Sequence, residues 1–514
     1  MAIPLPQSST ALARSVRTRI PMVCWPLAAT LAVQCHVLFY GFLFDDFVHL
    51  YTVSNRPFWE AVSVPMGGHL IHSLMAIMWL LKSLFGLNPL AYLAFGLLVH
   101  LVNVWLLFGI ISRLTGRPAM AAFGASLWGM SPLVAGTIGW ISAHGHGYAT
   151  AAVLWVLYDI VRCSQRPAGL GNALLVRHAV LLLVATTSFG TGLVATVVFP
   201  FLVWLWNPLP LQRFKLVAVY SAVALLAVTV YLITMQLQGD ARDNLGDKVD
   251  IVSQGIANLP SIMRAFLDLF SVGSAVLLLG PLLVGGVSVV PAASVSVVAK
   301  LTTVVVVVPL LLWGCWVSTA TERRRLIALL LLACAAYGVI ALARSGGLLP
   351  FNAEASRYHY MAPALLAVVF SLLLCKLLDR FPAAVPGYGR TPYFVWLALV
   401  IVPFTLGPVS VVKEVQITRQ NNQLQRSTLA LEKALQNHSG TDDIYIRNRP
   451  FAVFAWGYTP QHFPGLAALF IISYPDNSFE GKRVIFLDDS EELVQSAQAQ
   501  HGTRIAELLQ YRPK

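Results

Sequence analysis

A chain of 514 residues that is 57% hydrophobic and only 11% charged, with a mean hydropathy of +0.70, lies far from the roughly 25% charged residues of a soluble domain. This excludes a water-soluble globular enzyme and predicts an α-helical polytopic membrane protein. The formal charge of +12 does not mark a nucleic-acid binder, because Lys and Arg fall in short breaks between apolar runs, where cytoplasmic loops collect them.

In chain order, residues 1–19 carry Arg14, Arg17 and Arg19 ahead of an apolar run at 20–43. That run exceeds the core of a signal peptide and reads as a retained first helix with a cytoplasmic N-terminus. Asp45 and Asp46 follow at its far end, and an acidic pair at a membrane boundary is a functional candidate because a carboxylate at the bilayer centre costs roughly 2.5–3.5 kcal/mol. Residues 44–88 form the first exoplasmic loop. Within it, 69–86 is expected to lie as an amphipathic helix at the interface, presenting His69, His72 and Ser73, since a span there would put Arg113 and Arg117 outside.

Spans are then expected at 89–111 and 118–135, followed by an exoplasmic turn at 137–147 and an inward helix reaching Arg162 and Arg166. A hairpin over 178–206, broken at 186–192, leads to a span at 214–236. Residues 239–260 read as an exoplasmic loop with four aspartates. Residues 261–286 are expected as a re-entrant or interfacial helix, or as a double crossing, which keeps Arg323, Arg324, Arg325, Lys376 and Arg380 inside. Further spans at 295–317, 326–342, 360–378 and 392–412 bring the total to about 11–13 within a transmembrane domain at 20–413. Residues 414–514 read as a small exoplasmic α/β domain, with helices at 414–436 and 490–509 and β-like pieces at 443–447 and 483–487. The six cysteines show no C-x-x-C spacing and suit packing better than a disulfide frame or metal site.

The exoplasmic edge gathers Asp45, Asp46, His49, Arg56, His69, His72, His144, His146, Arg344, Glu354, Arg357, Tyr358 and His359. Such a set suits transfer from a membrane-embedded phosphate-linked donor, with a carboxylate as general base on an acceptor hydroxyl and cations on the leaving phosphate. Arg357 fits the cation role through planar, bidentate pairing with phosphate oxygens. Asp45 and Asp46 are also the candidate ligands should Mg²⁺ or Mn²⁺ take part. Plainer readings stand beside these: an interfacial cap for the acidic pair, a snorkelling anchor for Arg357, and loop polarity for His144 and His146. His100 and Asn103, inside an apolar helix, are expected to make helix-packing hydrogen bonds.

Four blocks carry a resemblance. The Asp45-Asp46 pair, Phe85-Gly-Leu-Asn-Pro-Leu-Ala-Tyr92 leading to His100-Leu-Val-Asn103, Ser131-Pro-Leu-Val-Ala-Gly-Thr-Ile-Gly-Trp-Ile-Ser142, and Ser356-Arg-Tyr-His-Tyr-Met-Ala-Pro363 resemble, in order and spacing, the signatures of GT-C glycosyltransferases. The protein O-mannosyltransferase branch that bears tetratricopeptide repeats in animals, with its bacterial relatives, is the most similar. The resemblance implies a polyprenyl-phosphate sugar donor, inverting transfer to a protein, glycan or lipid acceptor, Asp45 or Asp46 as base, and phosphate contact from Arg357 and Tyr358, to which Arg344 is added as a candidate from its place at the exoplasmic edge. His49, Arg56, His69, His72, His144, His146 and Glu354 would line the acceptor side. The expected location is a bacterial inner membrane with a periplasmic site. The chain departs from the pattern with Ser131-Pro132 in place of His-Pro and Phe189-Gly190 in place of Lys-Glu. The alternatives are a transporter or flippase of lipid-linked intermediates, for which no inverted repeat is visible, and an O-antigen-ligase-like enzyme using a diphosphate donor.

Overall fold

The computed structural model describes residues 21–42, 45–63, 65, 69–165, 169–238, 258–287, 292–344 and 356–380, together with strands at 444–446 and 484–486. The described chain is a helical polytopic membrane protein. Six of its helices are long and apolar enough to cross a membrane, or seven if one bent pair counts as a single span, against the 11–13 expected.

The first helix, α1 (Cys24–Gln34), turns its Pro26, Thr30 and Gln34 edge inward, where the Gln34 amide donates to the carbonyls of Gly129 and Ser131. Three short helices follow: α2 (Asp45–Asn55), α3 (Phe58–Ser63) and α4 (His72–Phe85). At 14 residues, α4 is about 21 Å long and too short for a hydrocarbon core of roughly 30 Å. It buries Leu74, Met75, Met78 and Leu81 and exposes Leu80, Leu84 and Phe85, as an interfacial helix does.

Helix α5 (Pro89–Thr115) has clear local causes: Asn88 caps it by accepting from the Leu90 N–H at 3.1 Å, Pro89 opens it, and Gly116 closes it in a left-handed turn. The next expected span is bent by 49° into α6 (Pro118–Gly129) and a segment ending in α7 (Ala135–Ile138). Pro132 lacks an N–H and forces Ser131 into an extended conformation, which breaks the helix there. Helices α8 (His144–Ser164), α9 (Asn172–Ser188), α10 (Gly190–Trp206) and α11 (Arg213–Gln238) follow, and the α9–α10 hairpin breaks at Phe189 as expected.

Beyond them come α12 (Leu259–Val287), α13 (Ala292–Thr302), a π-turn (Thr303–Val307), α14 (Val308–Val317), α15 (Ala320–Arg344) and α16 (Met361–Arg380). Residues 261–286 thus form one continuous helix and not a double crossing. Ser274 Oγ lies 3.2 Å from Thr303 Oγ1, and a Cβ on Gly273 would meet the Tyr337 hydroxyl. Asp268 on α12 also pairs with Lys300 on α13 at 2.6 Å. The expected spans at 295–317, 326–342 and 360–378 are present as α13 to α14, α15 and α16.

The two ends of the bundle differ in kind. At one end, Arg117 pairs with Asp379, Lys376 with Glu322, and Arg177 with Asp159. Arginines there also lie over aromatic rings: Arg113 on Tyr158, Arg213 on Trp204, Arg325 on Trp206 and Arg380 on Trp313. The other end holds α2, α7, the start of α8, the α9–α10 break and the start of α16.

Between them, His100 and Asn103 make the packing bonds expected of them. His100 Nε2 faces the Gly129 carbonyl at 3.1 Å and so donates, which leaves Nδ1 to accept from the Tyr360 hydroxyl at 2.7 Å. The Asn103 amide donates to that hydroxyl and to the Gly147 carbonyl. Strands β1 (Ile444–Ile446) and β2 (Val484–Phe486) pair in parallel. They are all that the described residues contain of the expected α/β domain. The span at 392–412, Glu354 and the aspartate-bearing loop at 239–257 lie outside the described residues.

Candidate functional site

The site end is built around the short segment between α7 and α8. Its 3-10 turn (Ile141–Ala143) presents the Ser142 N–H and hydroxyl to Asp46 Oδ1, at 2.7 and 2.5 Å. Asp46, on the first turn of α2, is fully buried. Two donors on one oxygen offset the cost of enclosing a carboxylate, and the start of α8 adds the positive end of its dipole. Asp45 is the preceding helical position, about 100° round the axis.

Trp140 stands two residues before Ser142, and Arg357 lies with its guanidinium 5.0 Å from the Trp140 ring and 4.9 Å from that of Tyr358. Arg357 Nη2 also donates to the Tyr358 hydroxyl at 3.3 Å. The segment 140–142 therefore contacts both the first-loop acid and the cation of the fourth block. A guanidinium held against ring faces is fixed in orientation and pairs with anions through its planar N–H edge.

His49, one turn beyond Asp46 and on the same face, is 4% exposed. Its Nδ1 is enclosed without a partner, and burial pushes its pKa down to about 4. His144 and His146 stand in the first turn of α8, not in a glycine-rich loop as expected. His144 Nε2 donates to the Ile138 carbonyl at 3.0 Å and its Nδ1 is enclosed without a partner. His146 Nδ1 lies 3.3 Å from Thr191 Oγ1.

The α9–α10 break holds the first loop in place. Phe189 lies between two imidazoles, with ring centroids 4.5 Å from His69 and 3.8 Å from His146. Gly190 is required beside it, since a Cβ there would come within 2.8 Å of His69 Nδ1. Ser73 and Thr187 share a hydroxyl hydrogen bond of 2.8 Å. His72 Nδ1 donates to the Val62 carbonyl at 2.7 Å; burial lowers its pKa, and that hydrogen bond partly opposes the shift.

Three expected members fall apart from this set. Arg56 is exposed just after α2, Arg344 is the last residue of α15, and Glu354 lies outside the described residues. His359 is buried with Nδ1 2.9 Å from the Tyr337 hydroxyl. Sequence reasoning missed Trp140, Ser142 and Phe189 as members of the site. The first two sat in the third block, and Phe189 was visible only as a departure from a family pattern.

Among the described residues no group of three His, Cys, Asp or Glu side chains converges on a point that a cation would occupy. Asp46 Oδ1 already accepts two hydrogen bonds, so that oxygen fits a donor-lined seat better than a metal ion, and no step below passes through one. No protein-family model matches the chain. A search of curated proteins finds no match either.

Proposed function

We propose that the protein is a membrane glycosyltransferase that moves a sugar from a polyprenyl-phosphate donor to an acceptor hydroxyl at the exoplasmic face, with inversion at the anomeric carbon. The observation that carries this reading is the contact of segment 140–142 with Asp46 through Ser142 and with Arg357 through Trp140. An acid-bearing helix and a cation proposed to hold phosphate thereby meet at one end of the bundle.

In this reading Asp45 is the general base and Asp46 a positioning residue. A base must come within about 2.6–3.2 Å of the proton it takes, and Asp46 is closed off and bonded to Ser142. Asp45 accepts the proton of the acceptor hydroxyl as its oxygen bonds to the anomeric carbon. The bond from that carbon to the phosphate oxygen breaks, and its electron pair leaves with the polyprenyl phosphate, whose charge Arg357 stabilises. A phosphate leaves without prior protonation, so one base and one cation suffice. The four sequence blocks support the choice of donor. With the cation-rich end taken as cytoplasmic, the site faces the exoplasmic side, and a bacterial inner membrane is the setting that the resemblance implies.

The test is incubation of the purified protein with a panel of polyprenyl-phosphate sugars carrying labelled sugar, with transfer or release as the readout. Turnover of at least one member, lost in Asp45→Asn, is the expected result. Turnover of a nucleotide sugar instead, or undiminished transfer in both Asp45→Asn and Asp46→Asn, would sink the reading.

A further inference from the structure

We propose that Tyr360 and Tyr337 are positioning residues for Arg357, their phenol hydroxyls fixing the short connection that carries its guanidinium. The proposal rests on the transferase reading, and it extends that site into a layer of buried side chains.

Arg357 lies on a single 3-10 turn (Ser356–Tyr358), and α16 begins only at Met361. A turn of three residues makes too few backbone hydrogen bonds to hold its own shape. The place of Arg357 therefore depends on what grips the residues after it, and two adjacent ones are gripped. His359 is fully buried, with Nδ1 2.9 Å from the Tyr337 hydroxyl of α15. Tyr360 is 1% exposed and held at both ends. Its carbonyl accepts from the Trp128 indole at 3.2 Å, and its hydroxyl donates to His100 Nδ1 at 2.7 Å and accepts from the Asn103 amide at 3.2 Å. Gly273 of α12 closes over the other pair: a Cβ there would collide with the Tyr337 hydroxyl and come within 3.0 Å of His359 Nδ1.

The connection is thus fastened from below by α5, α6 and α15, while the guanidinium rests on the Trp140 ring. A cation fixed before its anion arrives spares the complex the cost of ordering it. Phenol hydroxyls suit this task because they add direction to packing: a phenylalanine in either place would still fill the space.

The protein carries its own control. At the cation-rich end the Tyr220 hydroxyl lies 2.8 Å from His178 Nδ1, both residues are fully buried, and His178 Nε2 is 3.3 Å from Asp159. That pair joins α9 to α11, so it reports what a buried phenol–imidazole bond does for stability alone.

The experiment compares Tyr360→Phe, Tyr337→Phe and Tyr220→Phe in the full-length protein. It reads the melting temperature, the KM and kcat for a polyprenyl-phosphate sugar that the unaltered protein turns over, and hydrogen exchange of the amides at 356–360. All three variants should melt lower. Tyr360→Phe is expected to raise the donor KM roughly 5–30-fold, the factor that fixing one residue's backbone is worth, with kcat little changed. Loss of uniform binding has that signature, whereas a smaller folded fraction lowers apparent kcat and leaves KM alone. Exchange over 356–360 should quicken in Tyr360→Phe and Tyr337→Phe, and Tyr220→Phe should alter neither KM nor that exchange. An unchanged KM in Tyr360→Phe, or an equal rise in Tyr220→Phe, would overturn the proposal. If Tyr360→Phe does not fold, Tyr337→Phe decides on the same readouts. If no polyprenyl-phosphate sugar turns over, the transferase reading fails by itself and exchange decides the anchoring: quickening in Tyr360→Phe and not in Tyr220→Phe upholds it, and unaltered exchange in Tyr360→Phe sinks it.

Discussion

The two ends of this bundle solve the problem of burying charge in opposite ways. At the cation-rich end most charges meet opposite charges on neighbouring helices: Arg117 on Asp379 joins α6 to α16, Lys376 on Glu322 joins α16 to α15, and Asp159 with Arg177 joins α8 to α9. At the other end Asp46 is held by the neutral donors of Ser142, Arg357 rests on aromatic faces, and His49 and His144 each keep an enclosed nitrogen without a partner. An ion pair satisfies both of its members and holds helices together. At the other end the carboxylate meets a backbone N–H and a hydroxyl, and the guanidinium meets the faces of two rings. The first arrangement is suited to assembly and the second to chemistry.

Substitutions at the two ends should therefore separate. The largest effect is expected for Asp45→Asn, which removes the proposed base and should lower transfer by about 10²–10⁴-fold with an unchanged melting temperature; equal losses of activity and stability would break the contrast. Arg357→Gln comes next, with a loss of about 10²–10³-fold, the size seen when one donor to a developing charge is removed. Arg357→Lys should recover only part of it, because an ammonium lacks the planar fork. Steady-state kinetics on both variants make the comparison.

Ser142→Ala removes a hydrogen bond to a charged group and should cost about 1.5–3 kcal/mol of stability, with a fall in kcat that exceeds any change in KM if Asp46 positions α2.

Acidification sharpens the same contrast through His49. Its folded pKa is lowered to about 4 by burial from an ordinary value near 6.5. The unfolded state therefore binds more protons between those values, and stability rises with pH across the window. Lowering the pH from neutral to 5 should cost about 2 kcal/mol, read as a drop in melting temperature that His49→Gln removes. The smallest effect belongs to the ion-paired end. Asp379→Asn breaks a pair whose members are 44% and 56% exposed, so a change under about 1 kcal/mol and unaltered turnover are expected.

Much of the scaffold was legible in the sequence because membrane burial writes long apolar runs and puts punctuation between them. Asn88-Pro89 and Gly116 bound α5 in plain view, the Phe189 break was visible as a gap in apolar character, and an even count of charged breaks made α4 interfacial. At 261–286 the rules of loop charge asked for a re-entrant or interfacial helix or a double crossing, and one continuous helix packed against α13 and α15 leaves no double crossing. His144 and His146 were misplaced because Gly145 and Gly147 suggest a loop, whereas the packing of α5, α9 and α10 around α8 overrides that weak local preference. For the site, the acidic pair and Arg357 were readable as costly charges. The roles of Ser142 and Trp140 were not, since a serine and a tryptophan in an apolar stretch carry no signal until the fold brings them to Asp46 and Arg357.

The bonds that make this site are also very long in sequence, and that dictates when it can exist. Asp46 waits for a partner 96 residues later, and His100 for the Tyr360 hydroxyl 260 residues later. At 5–20 residues per second of synthesis, the second interval is roughly 13–50 s, during which His100 and Asn103 have their earlier partners, the Gly129 and Gly147 carbonyls, but not the Tyr360 hydroxyl. Insertion of α16 completes that core and delivers Arg357 in the same event. A nascent chain stalled before that point has Asp46 and its Ser142 partner and lacks Arg357, so the contact of Trp140 with that guanidinium is the last of the set to form.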